Sequence, residues 1–198
     1  MAYYITISRE AGCGGRVVGK ALAERLGIAY YDKDNIIDLV AEDCGLDTSF
    51  VSRIMERKTS SLLYEMATMT HTNPLEEQVF LSKNKIVNEL ADKGSMVIVG
   101  SCGDYILRER ENLLRVYLYG SVEQKIDRIV NVYKLEPTMT PQKLKSIDKA
   151  RADYYRFFTS NKWADRANFD LLMNTDIGVD TVTDMLEHAA RARFGGEA

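Results

Sequence analysis

Tyr3-Tyr4-Ile5-Thr6-Ile7-Ser8, then Arg9-Glu10-Ala11-Gly12-Cys13-Gly14-Gly15-Arg16, then Val17 to Leu26 follow one another near the start of the chain. The first run is β-rich and apolar enough for a buried strand. The last reads as an amphipathic helix, with Val18, Leu22 and Leu26 on one face beside Ala21, and Lys20, Glu24 and Arg25 turned elsewhere. Gly27 stands where a left-handed helix cap prefers glycine. Taken alone, three glycines within residues 12–15 make a tight turn or a flexible connection. Between a strand and a helix they also gather backbone N–H groups at a helix N-terminus, where the helix dipole adds partial positive charge. Such a place binds phosphate.

The loop invites comparison with the phosphate-binding pattern G-x-x-x-x-G-K-[ST]. With Gly14 on the second glycine, Arg9 falls on the first, Gly15 on the lysine and Arg16 on the Ser/Thr. The loop keeps its shape and lacks its usual charged residue.

At 198 residues the chain suits a single α/β domain with a real core. The formal net charge of -3 gives no global field to attract nucleic acid or an anionic membrane, so neither is expected as a partner. No apolar stretch approaches the ~20 residues that span a bilayer. The N-terminus enters a strand at once, without the basic and apolar regions of a signal peptide, which points to the cytoplasm. Cys13, Cys44 and Cys102 are an odd, sparse set without metal spacing and read as reduced thiols. His71 and His188 are the only histidines, which argues against zinc and against a histidine-based triad. No metal ligand is assigned.

The remainder alternates strand and helix, as a parallel sheet with helical crossovers requires. Strands are predicted at Ala29–Tyr31, Met96–Val99, Arg115–Tyr119 and Asp170–Met173. Helices are predicted from about Lys33 to Asp43, over Thr48–Met55, and from Pro74 to about Lys93, the last opened by Asn73-Pro74-Leu75-Glu76. Val122, Ile126, Ile129, Val130 and Tyr133 mark another; Thr140-Pro141 opens a long one reaching about Phe158; Val179 to Ala190 closes the chain. Residues 57–72 resist assignment.

In open parallel sheets ligands bind beyond the carboxyl ends of the strands. The rim residues are Ser8, Arg9 and the glycine loop, Asp32 and Asp34, Gly100 to Asp104, Gly120 and Ser121, and Asn174 to Asp176. For Ser121 and Asp176 the turn-and-cap reading is preferred. Asp32 stands one strand from the loop and is equally readable as a cap or as a ligand. On the long helix, Asp148 and Arg151 can pair on one face with Tyr155 beside them. Lys149, Arg151 and Arg156 cannot share a stripe but can surround a phosphate if the helix ends over the site. A charge run on a helix is otherwise a solvated face.

These residues together resemble the cytidylate kinase-like family, relatives of the P-loop nucleoside monophosphate kinases. The resemblance rests on four blocks in order: Ile7-Ser8-Arg9-Glu10 with Gly12 to Arg16, then Tyr31-Asp32-Lys33. After these come Val97 to Gly100 with Cys102 and Asp104 to Leu107, and finally Asp148-Lys149-x-Arg151-x-x-Tyr154-Tyr155 with Trp163, Asp170-Leu171 and Asn174-Thr175. It implies a three-layer α/β P-loop NTPase fold with a five-stranded parallel sheet and helices on both faces. One domain over 1–198 would carry a mobile lid around 138–163. ATP and Mg²⁺ would serve a nucleotide-type kinase acting on a small-molecule acceptor, a nucleoside monophosphate or similar.

On that reading Gly12, Cys13, Gly14, Gly15 and Arg16 hold donor phosphates through their N–H groups, with Arg9, Lys149 and Arg156 as further phosphate ligands. Arg16 is the principal cation of the donor site, Arg151 the lid arginine, and Asp32 orients the acceptor. Two departures stand out: Gly15 replaces the loop lysine, and Ser101 follows the third-strand glycine where the family pattern has arginine. No Ser or Thr follows Gly15 to hold Mg²⁺, so Asp32 or Asp104 must help. A non-catalytic nucleotide- or phosphate-binding regulatory protein is the competing reading. A homo-oligomeric interaction protein, drawn from the apolar stretch Ser61–Met69, is a third.

Overall fold

A computed structural model describes residues 1–55, 74–100 and 102–195. Five strands, β1 (Tyr4–Arg9), β2 (Ala29–Asp32), β3 (Met96–Val99), β4 (Leu113–Tyr119) and β5 (Leu171–Asn174), form one parallel sheet in the order β2-β3-β1-β4-β5. The helices between and after them are α1 (Gly15–Leu26), α2 (Lys33–Cys44), α3 (Thr48–Met55), α4 (Pro74–Lys93), α5 (Gly103–Ile106), α6 (Val122–Asp127), α7 (Pro141–Thr159) and α8 (Val179–Phe194).

The sheet is covered on both faces, and the pleat explains how one strand feeds two cores. Ile5, Ile7, Val97, Val99, Val116 and Leu118 pack with Val18 and Leu22 of α1 and Val182 and Leu186 of α8. The alternate positions Tyr4, Met96, Ile98 and Leu113 pack with Val40 of α2, Val51 of α3, Val87 and Leu90 of α4, and Tyr154 and Tyr155 of α7. Burial on both faces is why Met96-Val97-Ile98-Val99 is an unbroken apolar run. This is the three-layer α/β arrangement.

β1 is the central strand, hydrogen-bonded to β3 on one side and β4 on the other. The chain leaves it toward β2 and later returns to build the opposite half with β4 and β5, so its carboxyl end is a topological switch point. That places Arg9 and the glycine loop at the natural ligand crevice.

Several elements differ from expectation at their ends. β4 begins at Leu113 because Leu113 and Leu114 are also buried. β5 begins one residue late, since Asp170 instead turns its carboxylate onto Arg115, accepting from the backbone N–H at 2.8 Å and from Nη2 at 3.0 Å. The helix opened by Val122 is α-helical only to Asp127 and widens into a π-turn over Arg128–Val132. The wider turn lets Arg128 and Ile129 both point inward, and Arg128 donates to the Thr175 hydroxyl and carbonyl. The Ser61–Met69 stretch, His71 and Ser101 lie outside the described residues. Among those described, no helix is long and apolar enough to cross a membrane.

One close approach fixes the layer spacing at the site. A Cβ on Gly19 would fall 2.3 Å from Val99 Cγ2, so α1 rests directly on β3. Alanine is the better helix former, yet Gly19→Ala should destabilise by about 1–3 kcal/mol because Val99 is locked in the core. Val99→Ala in the same background should recover part of the loss. Urea unfolding measures both, and a Gly19→Ala protein of unchanged stability would contradict the approach.

Candidate functional site

β1 ends at Arg9, and α1 begins at Gly15 with Gly14 as its N-cap. Gly14 is left-handed (φ 75°) and supplies no side-chain cap, so no side chain at the cap covers the first-turn N–H groups of α1. Gly12 is left-handed too (φ 80°). Both glycines are also required by space: a Cβ would lie 2.5 Å from the Lys125 carbonyl oxygen at Gly12 and 2.8 Å from the Tyr133 hydroxyl at Gly14.

The outer side of the loop is fastened by charge. Lys125, on α6 and only 5% exposed, places its ammonium 2.7 Å from Glu10 Oε2 and 3.8 Å from Asp148 Oδ2. Burial alone would lower this ammonium's pKa; Glu10 and Asp148 outweigh it and hold the pKa raised. Asp148 Oδ1 accepts the Ala11 N–H at 2.7 Å, and Arg151 Nη1 donates to the Arg9 carbonyl at 3.1 Å. Asp148 and Arg151 stand 3.8 Å apart, one turn from each other on α7.

Inside this clasp lies a cavity of about 410 Å³ at the carboxyl ends of β1 and β3, roofed by α7. Among the described residues its charged lining is wholly cationic: Arg9, Lys33, Lys83 and Arg151. Ile36, Met55, Ile98 and Tyr154 form an apolar wall. Burial lowers Arg9 to about 9, helped by Arg151 and Arg16, and lowers Lys33 to about 8. Lys83 and Arg151 are also lowered, again chiefly by burial. Cations gathered away from water favour an anion among them.

Below the cavity floor, Asp104 is buried and accepts from Tyr155 Oη at 2.6 Å and from Ser8 Oγ at 3.4 Å. Burial raises its pKa. With both oxygens engaged, Asp104 ties α5 and α7 to β1.

The sequence-derived residues fall into two groups. Arg9, Gly12, Cys13, Gly14, Gly15, Arg16, Asp32 and Arg151 gather round the loop and the cavity mouth. Arg16 is half exposed, with Nη2 2.8 Å from Asp34 and Nε 3.6 Å from Asp32. Asp32 Oδ1 caps α2 by accepting from the N–H groups of Asp34 and Asn35, leaving Oδ2 near Tyr30 Oη at 3.3 Å. Lys149 and Arg156 are exposed and do not line the cavity. Cys13 and Cys102 are buried free thiols whose pKa values burial pushes up to about 12, which keeps them unreactive. Ser121 caps α6, and Asp176 accepts the Ser121 N–H.

Lys83 and Lys125 escaped the sequence reading, and Lys33 entered it only as a helix start and as part of the Tyr31-Asp32-Lys33 block, without a site role. Lys83 had a usable signature, standing on the apolar face of α4 between Val79 and Val87 at four-residue spacing. Lys125 had none, because its partners are supplied by the loop and α7.

The model of the cytidylate kinase-like family matches residues 4–177. Shikimate kinase of Legionella pneumophila (strain Corby) is 27% identical over 122 residues, or 59% of this chain and 57% of that enzyme. The chain therefore matches little more than half the length of such relatives. Among solved structures, an uncharacterized protein from Eubacterium ventriosum ATCC 27560 is 27% identical with a TM-score of 0.74, covering 98% of this chain and 100% of that one. Shikimate kinase from Acinetobacter baumannii, in complex with shikimate, is 19% identical with a TM-score of 0.54, covering 98% and 96%. A gluconokinase from Sinorhizobium meliloti 1021 is 14% identical with a TM-score of 0.52, covering 97% and 93%. The last two likenesses concern the fold.

Two outcomes follow from the charges. Glu10→Gln strips the nearer counter-charge from the buried Lys125 and should cost about 1–3 kcal/mol by urea unfolding; an unchanged midpoint would remove the pair from the loop's support. Sulfate, which does not titrate in this range, should bind less tightly as pH rises through about 8, where Lys33 loses its proton. Lys33→Gln should flatten that part of the profile, and wild-type affinity constant from neutral pH into the alkaline range would contradict it.

Proposed function

The chain belongs to the cytidylate kinase-like family, and from that premise we propose that it transfers the γ-phosphoryl group of ATP to a small anionic acceptor, a nucleoside monophosphate or a similar compound. The observation that carries the proposal is the adjacency of two sites: a glycine loop at a helix N-terminus without a side-chain cap, and a cavity whose charged lining among the described residues is wholly cationic. Phosphoryl transfer is mostly positioning plus charge placed around the moving group, so such a boundary suits it.

The N–H groups of Gly12 to Arg16 hold the donor phosphates. Arg9 and Arg151 stand where loop and cavity meet and neutralise charge developing on the transferred group. Lys33 and Lys83 hold the acceptor's anion, while Ile36, Met55 and Tyr154 take its apolar part. α7 roofs the cavity and excludes water, which would otherwise compete as acceptor; the segment around 138–163 acts as the lid.

Among the described residues no group of three His, Cys, Asp or Glu could hold a metal. Mg²⁺ in kinase sites needs only one or two carboxylates, the phosphates and water completing its shell. Asp32 would meet that demand through Oδ2, the oxygen outside the helix cap, by exchanging its contacts with Tyr30 Oη and Arg16 Nε for the metal, whereas Asp104 is buried with both oxygens engaged. Bound there, Mg²⁺ would neutralise phosphate charge. Asp32 also stands beside Lys33 at the cavity mouth and orients the acceptor.

A nucleotide-binding regulatory protein without turnover is the second reading, supported by Gly15 at the lysine position and by the Asp34 pair that holds Arg16. Thermal shifts with ATP, with and without Mg²⁺, followed by transfer assays on nucleoside monophosphates and small carboxylated polyols, separate the two. The kinase reading expects ATP to raise the melting temperature and anionic acceptors alone to be phosphorylated. Stabilisation without transfer to any acceptor favours the regulatory reading; a protein indifferent to nucleotides overturns both. Arg151→Lys keeps the charge and loses the planar fork, and should slow transfer about 10- to 100-fold.

A further inference from the structure

We propose that Arg9 takes over the charge of the missing loop lysine, and that residue 15 is glycine so that the Arg9 side chain can lie across it. The inference rests on the phosphate-binding reading of the loop. Its first support is conformational. Gly12 and Gly14 have positive φ, but Gly15 does not, so its backbone would accept any residue. Space is what excludes a side chain there. A Cβ on Gly15 would lie 2.8 Å from Arg9 Cγ, 3.3 Å from Cδ and 3.4 Å from Cβ. The stem of Arg9 runs through the volume by which a lysine at 15 would leave the loop.

The second support is the state of the guanidinium. Arg16 is committed to Asp34 and Asp32, and Arg151 donates to the Arg9 carbonyl. Among the described residues the Arg9 guanidinium makes no hydrogen bond and has no carboxylate within ion-pair distance. Its fork is thus uncommitted while facing the cavity beside the loop. Burial and two neighbouring arginines disfavour its charge, and a phosphate would relieve that. On the motif, an arginine replaces the first glycine and a glycine replaces the lysine; the two exchanges are reciprocal and in contact. The charge has moved from the helix start to the strand end. Arg16, which sequence alone nominates as the principal cation, becomes a partner of Asp32 and Asp34.

The test is a swap. Arg9→Gln, Gly15→Lys and the double variant are compared for binding of inorganic tripolyphosphate, a probe that needs neither base recognition nor turnover. Melting temperatures check folding first. Arg9→Gln should weaken tripolyphosphate at least tenfold. Gly15→Lys alone should also weaken it, because the lysine stem meets Arg9. The double variant, with the stem cleared and the lysine restored, should recover most of the loss and bind more tightly than either single variant. Arg9→Gln binding within twofold of wild type, or a double variant no better than Arg9→Gln, overturns the inference. If the double variant does not fold, Arg9→Gln against Arg9→Lys decides, the latter being expected to retain part of the affinity. A wild-type protein that binds no tripolyphosphate overturns it as well. ATP transfer by the same wild-type preparation reports on the kinase reading separately: tripolyphosphate bound through Arg9 without transfer upholds the inference and sinks the kinase.

Discussion

The buried ammonium of Lys125 is the contact on which the site depends. A cation removed from water is costly unless well paired, and this one is met by Glu10 at 2.7 Å with Asp148 behind it. Those two carboxylates belong to different parts of the chain, so the requirement of one charge joins the glycine loop, α6 and α7. Sterics enforce the same joint, since only glycine at 12 lets the Lys125 backbone approach. Asp148 then binds the Ala11 N–H and Arg151 the Arg9 carbonyl, so the loop is held from outside by side chains. Its N-cap at Gly14 needs no side chain.

The same clasp sets the character of the cavity. By engaging Glu10 and Asp148 on the outer side, it leaves the inner lining to Arg9, Lys33, Lys83 and Arg151. With Glu10 and Asp148 paired to Lys125 on one side of a thin loop and four cations on the other, the described lining of the pocket is positive in a protein whose formal net charge is only -3. Global charge says nothing of such a pocket. α7 contributes to both sides, with Asp148 and Arg151 one turn apart, while Tyr154 and Tyr155 anchor its later turns in the core.

Much of the fold was legible in the sequence because its signals are local. Pro74 and Gly94 bracket α4, the apolar run Met96–Val99 is a strand buried on both faces, and Thr140-Pro141 opens α7. The π-turn over Arg128–Val132 was not, because the apolar stripe of a helix looks the same whether or not one turn is widened. At the site, residues adjacent in sequence to the loop were found. Contacts spanning more than a hundred residues, such as Glu10 with Lys125 and Ala11 with Asp148, leave no local trace. The role of Gly15 is the clearest case: the missing lysine is evident in the motif, but the Arg9 stem that fills its path is visible only in three dimensions.

On the proposed reading, donor phosphates bind at the end of β1, between the loop N–H groups and Arg9. A crystal structure with a non-hydrolysable ATP analogue and Mg²⁺ tests it most directly. The terminal phosphates are expected within hydrogen-bond distance of N–H groups from Gly12 to Arg16 and of the Arg9 guanidinium. A triphosphate seated elsewhere, or an Arg9 side chain turned away from it while Arg16 makes the contact, would rule out Arg9 as the phosphate ligand of the loop.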